Sequence, residues 1–380
     1  MKKVLICFGT RPEAIKLIPL YKELLGHQDA FETKLCVTGQ HRELLDQVLN
    51  LFEVVPDSDL RVMRANQSLF ELTSNILLGM QTVLEREQPD LVIVQGDTTT
   101  TFVTALAAFY CKIDVAQVEA GLRTYNLLSP WPEEANRQLT SRLCRFFLAP
   151  TESNRANLLK ENFSEDSIAV TGNTVIDALF EVVGRLKADK KLRSAVELQL
   201  AESGYAVSDR EFVLVTAHRR ENFGQGMENI CLALKTFAER HPEVDVVYPV
   251  HLNPQVQEPV RRILGSVPNI FLLAPLDYGP FVYCMQKSLF ILSDSGGVQE
   301  EAPSLGKPVL VLRETTERQE AVDAGTVMLV GTDVKKIISA SEELMNRGAL
   351  YQQMSGANNP YGDGTASAQC VRFLRSSYGL

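Results

Sequence analysis

Short runs of β-branched and other apolar residues alternate, along the first half of the chain, with longer stretches whose apolar positions recur at helical spacing. The short runs predict strands at 3–8, 33–37, 91–95, 115–118 and 146–149, and the longer ones helices at 14–25, 43–52, 69–87, 100–111, 133–143 and 153–161. Strand and helix in strict alternation give βαβ units and a mostly parallel sheet. The uninterrupted Leu91-Val92-Ile93-Val94 fits a strand covered on both faces. From 187 to 209 the pattern turns charged and helical with no strand signal, and a second alternating series begins, with strands at 212–216, 244–250, 270–273, 289–292, 309–312 and 327–329. The boundary is placed at Gly172-Asn173, giving an N-terminal Rossmann-like domain over 1–172 and a C-terminal one over 173–364. The expected fold class is α/β, two doubly wound domains in tandem. Such sheets bind ligands at the carboxyl ends of their strands. Two of them facing each other would line a cleft with both sets of βα loops.

The length agrees, since 380 residues exceed what one core usually supports. A net charge of -9 argues against a nucleic-acid partner or an anionic membrane surface, so an anionic ligand needs a local cluster of cations. The seven cysteines are scattered, without a CxxC pair, and read as reduced core residues of a cytoplasmic protein. No signal peptide and no apolar run of ~18 residues is present, so no membrane span is expected.

Chemistry-bearing residues gather where strands are predicted to end. The first turn, Gly9-Thr10-Arg11-Pro12-Glu13, has neither GxGxxG nor GxxxxGK[ST] spacing, which disfavours NAD and ATP. With Pro12 expected at the first helical position, Thr10, Arg11 and Lys16 lie near a helix end suited to phosphate, although a plain capped helix explains them equally well. Asp97 follows the strongest strand and reads by itself as a helix cap. Glu119 ends the next strand, and Pro132-Glu133-Glu134 with Arg137 enters a helix. Acids on three such loops favour acid/base chemistry over three separate caps, because neighbouring carboxylates move each other's pKa. In the second half His218, flanked by Arg219 and Arg220, suits a phosphate-bearing ligand or a leaving group. Ser295-Gly296-Gly297 allows close approach of a diphosphate to the backbone, and Glu301 suits a ribose diol. His251 reads as a residue that orients its own loop, and His27 and His241 as surface residues. No metal-ligand spacing is found and no cofactor is expected.

The stretches GTRPEAIK, TGQHRELLDQVL, QGDTTT, VEAGLRT, PWPEEANRQLT, TGNTVIDAL, TAHRREN, PVHLNP and SDSGGVQEEAPSLGKPVLVLRETTER, running from Gly9 to about Gly331, resemble the non-hydrolysing UDP-N-acetylglucosamine 2-epimerases. One departure is Gln319, where proline is expected after TTER. The resemblance implies a GT-B-like architecture whose C-terminal helix, 365–380, crosses back to the first domain, and a homodimer. It implies a catalytic role for Asp97, Glu119, Glu133, His218 and Arg11, and substrate binding by Lys16, Arg137, Ser295, Gly296, Gly297, Glu301 and Arg318. The reaction so implied inverts C2 of UDP-GlcNAc to give UDP-ManNAc, a precursor for polysaccharide synthesis. The alternatives are a hydrolysing 2-epimerase releasing ManNAc and UDP, and a GT-B glycosyltransferase. The loop 38–43 has no task in that chemistry. The resemblance implies there a second, activating UDP-GlcNAc at Gln40, His41 and Glu43, with Glu43 and Asn66 departing from some members.

Overall fold

A computed structural model describes residues 1–39, 42–64 and 67–380. It divides into two units, Met1–Ala178 with Tyr361–Leu380, and Leu179–Pro360. The first is built on seven parallel strands, β1 (Lys2–Phe8), β2 (Phe31–Val37), β3 (Ser58–Asp59), β4 (Leu91–Gln95), β5 (Asp114–Val118), β6 (Phe146–Ala149) and β7 (Ile168–Val170), in the order β3-β2-β1-β4-β5-β6-β7. The order reverses between β1 and β4, the switch point where doubly wound sheets take ligands. There Val4 pairs with Leu91 and Ile6 with Ile93, and every residue of β4 is buried, as its apolar run requires.

The second unit repeats the plan with β8 (Phe212–Thr216), β9 (Asp245–Pro249), β10 (Ile270–Leu273), β11 (Ile291–Ser293), β12 (Val309–Val311) and β13 (Val327–Leu329), ordered β10-β9-β8-β11-β12-β13 and parallel throughout. Its switch point lies between β8 and β11. The α/β, doubly wound class read from the sequence is therefore the observed one.

Several local expectations are corrected. β3 and β7, of two and three residues, are too short to leave a periodic signal. The strand expected at 289–292 is shifted to Ile291–Ser293. The charged stretch expected as helix from 187 to 209 is split: Thr174–Ala188 ends and Lys190–Glu202 begins around Asp189, whose carboxylate accepts the amides of Lys191 and Leu192 at 2.8 and 3.2 Å. Cys111 is exposed at the end of the helix Thr99–Tyr110, unlike the five buried cysteines.

The C-terminal helix Ala366–Tyr378 belongs to the first unit. Asp177 accepts the amides of Ala366 and Ser367, Tyr378 donates to Asp114 at 2.9 Å, and Cys370, Val371 and Leu374 are buried. Arg375 pairs with Asp29 at 2.8 Å and meets His27 at 3.2 Å, so His27 is part of this seam and not a free surface residue. His241 is likewise half-buried, its ring 4.8 Å from that of Phe237. Among the described residues no helix is long and apolar enough to cross a membrane.

Candidate active site

In the first unit, β1 hands over through Gly9 and Thr10 to the helix Arg11–Leu25. That helix starts three residues before the 14 that periodicity gives and one before Pro12, so Pro12 takes its second position and the half-buried Arg11 its first. Beneath the turn Glu13 is buried and fully used. One carboxylate oxygen accepts the amides of Gly9 and Thr10 and the Thr10 hydroxyl, at 3.1, 2.8 and 2.8 Å; the other accepts the hydroxyls of Thr98 and Thr101, at 2.7 and 3.0 Å. Burial raises its pKa in spite of these bonds. One side chain thus ties the Arg11 turn to the loop that carries Asp97.

That loop leaves β4 through Gly96. Thr98, not Asp97, caps the following helix, accepting the amide of Thr101 at 3.1 Å. Asp97 is therefore spared the capping task that a sequence reading assigns it first. Its carboxylate meets the Arg137 guanidinium at 2.6 Å, and its carbonyl takes a hydrogen bond from Asn136 at 2.9 Å. Burial raises the Asp97 pKa; the charge of Arg137 opposes the shift, Glu119 adds to it, Lys16 opposes it and Glu133 adds to it. Four of the residues singled out from the sequence thus act on Asp97 at close quarters.

Glu119 stands one residue beyond β5 with φ of 59°, a left-handed backbone that a residue with a side chain adopts at a cost of about 1–3 kcal/mol. Lys16 contacts one of its oxygens at 2.5 Å and the buried Gln95 donates to the other. Glu133 opens the helix Glu133–Leu143, and its Oε2 is buried without a hydrogen-bond partner among the described residues. Its neighbour Glu134 has a different job. Burial would raise its pKa, but Gln138, the amides of Thr124 and Tyr125, and Arg137 donate to it and together carry it below the usual value.

In the second unit the loops after β8 and β11 meet. Asp294 is fully buried, and its Oδ2 accepts the amides of His218 and Arg219 at 2.8 Å each and the side-chain amide of Asn222 at 3.0 Å. Its Oδ1 has no hydrogen-bond partner among the described residues and lies 3.5 Å from Nδ1 of His218. The His218 ring stacks on His251 at 5.3 Å, and the pKa of His218 is lowered by burial first, with Asp294 opposing and His251 and Arg219 adding. Nδ1 of His251 accepts the amide of Asn253 at 3.1 Å, fastening its own loop.

After β11, Ser295 precedes the short helix Gly296–Glu301. A side chain at Gly296 would place Cβ 2.8 Å from Cζ of Arg318, which is itself clamped to Glu300 at 2.8 and 2.9 Å and to Glu317 at 2.8 Å. Glycine here lets the guanidinium lie against the backbone. Glu301 is buried and accepts the Tyr278 hydroxyl at 2.6 Å, so one of its oxygens is already committed. Gln319, where proline is expected, opens the helix Gln319–Asp323 and donates to Asp323 at 2.9 Å, a position that tolerates either residue. Gln40, His41 and Asn66 lie outside the described residues; Glu43 is exposed on the helix Arg42–Phe52.

The UDP-N-acetylglucosamine 2-epimerase family profile matches residues 23–375. The chain belongs to this family. It is 56% identical over 374 residues to the UDP-N-acetylglucosamine 2-epimerase of Yersinia pestis, with 98% of each chain covered. Among solved structures it is similar to the UDP-GlcNAc 2-epimerase of Neisseria meningitidis bound to UDP-GlcNAc, at TM-score 0.89 and 52% identity, covering 98% of this chain and 100% of that one. It also resembles the S. aureus MnaA–UDP co-structure, at TM-score 0.86 and 44% identity, covering 100% of this chain and 98% of that one.

Within this 2-epimerase frame, the sequence reading passed over Asp294, Glu13, Gln95 and Asn136. Asp294 lies inside the SDSGG stretch and Glu13 inside GTRPEAIK, but each is buried and acts through a long-range contact. A signal was available for Asp294, an acid in a strand-end run otherwise made of small residues. Nothing comparable marks Gln95 or Asn136.

Proposed function

We propose that this chain is a non-hydrolysing UDP-N-acetylglucosamine 2-epimerase, interconverting UDP-GlcNAc and UDP-ManNAc by elimination and re-addition of UDP. The observation that carries the reading is the set of acids around Asp97: three carboxylates at one sheet edge, two of them paired to cations and the third, Glu133, with a buried oxygen awaiting a donor. A protein that only held a nucleotide sugar would have no use for them.

The C2 hydrogen of the sugar has no adjacent carbonyl and is not acidic in the ground state. Breaking the C1–O bond sends its electron pair to UDP and builds oxocarbenium character at C1, which acidifies C2–H. A carboxylate then takes that proton, leaving 2-acetamidoglucal and UDP. Delivery of a proton to the opposite face of C2, with attack of UDP on C1, completes inversion. Asp97, Glu119 and Glu133 are assigned to proton transfer and to stabilising the cation. The raised pKa of Asp97 suits a group that must hold a proton and give it up. Arg11 and His218 are assigned to the departing diphosphate, and Ser295, Gly296, Gly297 and Arg318 to binding UDP. Glu301, which accepts the Tyr278 hydroxyl through Oε1, is assigned to the ribose.

We assign the enzyme to the cytoplasm and to a homodimer. In support of the dimer, Phe70 and Leu78 on the helix Leu69–Glu87 and Phe109 and Tyr110 on the helix Thr99–Tyr110 are exposed, at 86, 64, 55 and 66%. Apolar groups so displayed on two packed helices favour burial against a second copy.

The deciding experiment is a proton NMR time course of UDP-GlcNAc with enzyme in deuterated water. UDP-ManNAc carrying deuterium at C2 is expected. Accumulation of free ManNAc would identify a hydrolysing enzyme, and dependence on an added acceptor a glycosyltransferase.

A further inference from the structure

The carboxylate of Asp294 is divided into two unequal halves. Oδ2 receives three hydrogen bonds that fasten the loop after β8 to the end of β11. Oδ1 is buried yet receives none among the described residues, and it lies 3.5 Å from Nδ1 of His218. An unpaired buried carboxylate oxygen is costly, and an asparagine would anchor the loop equally well through its single oxygen. The separation of 3.5 Å is longer than a good hydrogen bond but places the two groups face to face as an ion pair.

We infer that Asp294 is a positioning residue for His218, holding the ring with Nδ1–H toward Oδ1 so that Nε2 faces the diphosphate, and supporting positive charge on the ring once the diphosphate is bound. This rests on the assignment of His218 to the diphosphate. The charged and titratable groups that act on His218 are Asp294 beyond β11, His251 beyond β9 and Arg219 on its own loop. Asp294 is the one carboxylate of the three. Burial holds the ring below its ordinary pKa in the free protein, with Asp294 opposing that shift, and a second anion beside the ring would oppose it further.

The test uses protein labelled with ¹⁵N at its five histidines, His218 being assigned by comparison with His218→Gln. In the free enzyme at neutral pH the expected tautomer of His218 carries its proton on Nδ1. Saturation with UDP should raise its pKa, and Asp294→Asn should lower the free value and shrink that rise. Asp294→Asn should also reduce kcat/KM by about 10²-fold, yet by about threefold or less when introduced into His218→Gln. An Nε2–H tautomer in the wild-type enzyme overturns the inference, as do equal losses in the two backgrounds, which would make the role of Asp294 independent of His218. If Asp294→Asn does not fold, the wild-type tautomer decides. If UDP binds without moving the His218 resonances, the diphosphate assignment fails, while the tautomer still judges Asp294.

Discussion

Three acids near one another do not by themselves make a reaction; what distinguishes Asp97, Glu119 and Glu133 is how each is held. Asp97 has a cation at 2.6 Å and Glu119 a cation at 2.5 Å, while Glu133 keeps an unbonded buried oxygen. Asp97→Asn, Glu119→Gln and Glu133→Gln should each lower kcat by about 10²–10⁴-fold and leave UDP affinity within a few-fold, checked by steady-state kinetics and calorimetry. Near-normal kcat in a folded carboxamide variant would return that acid to a structural role. Glu317 offers a test of a different kind. Burial alone would raise its pKa, but Arg318 and Arg313 draw it down from an ordinary 4.5 to about 2. An acid depressed in the folded state adds stability above its unfolded pKa and loses it as pH falls toward the folded value. Denaturant unfolding should therefore weaken between about pH 4.5 and pH 2, and Glu317→Gln should lose less across that window.

Among the elements, what periodicity reveals is what it takes several residues to make. The five buried residues of β4 announce themselves, and the strands at Phe146–Ala149, Phe212–Thr216 and Ile270–Leu273 coincide with their sequence expectation. β3 has two residues and leaves no trace. The same limit applies to the site. Asp97, Glu119, Glu133 and His218 are legible because they stand at the ends of legible strands or at a Pro-rich helix entry. The partners of those residues are not legible, because Lys16 reaches Glu119 across 103 positions and Asp294 reaches the His218 amide across 76. Gly121 shows how tightly the first unit is built. Its φ is 89°, and a Cβ there would fall 2.2 Å from the carbonyl oxygen of Asn154. Gly121→Ala should cost about 3 kcal/mol or more and lower Tm by about 6–12 °C by calorimetry. Deletion of the helix Ala366–Tyr378 should do greater harm, uncovering the surface of the first unit on which Cys370, Val371 and Leu374 are buried. A truncated chain with unchanged Tm would contradict that.

For the whole molecule, the missing GxGxxG and metal-ligand spacings predict that turnover needs neither NAD nor a divalent metal. Activity should survive EDTA, and a loss restored by metal would contradict this. Activation by a second UDP-GlcNAc predicts a lag when UDP-ManNAc is the only substrate, shortened by traces of UDP-GlcNAc; progress curves linear from time zero would remove it. The return of the C-terminal helix to the first unit has a further consequence, for biosynthesis. The first unit is started first and completed last, because its closing helix begins at Ala366, after the whole of Leu179–Pro360 has been made. At about 5–20 residues per second the ribosome needs roughly 10–40 s to cover that interval. Throughout it the nascent first unit lacks the partner that covers its seam, whereas the second unit, a continuous stretch of chain, waits for nothing. The later half of the message therefore yields the half of the protein that can finish folding first, and a chaperone would find its work on the earlier one.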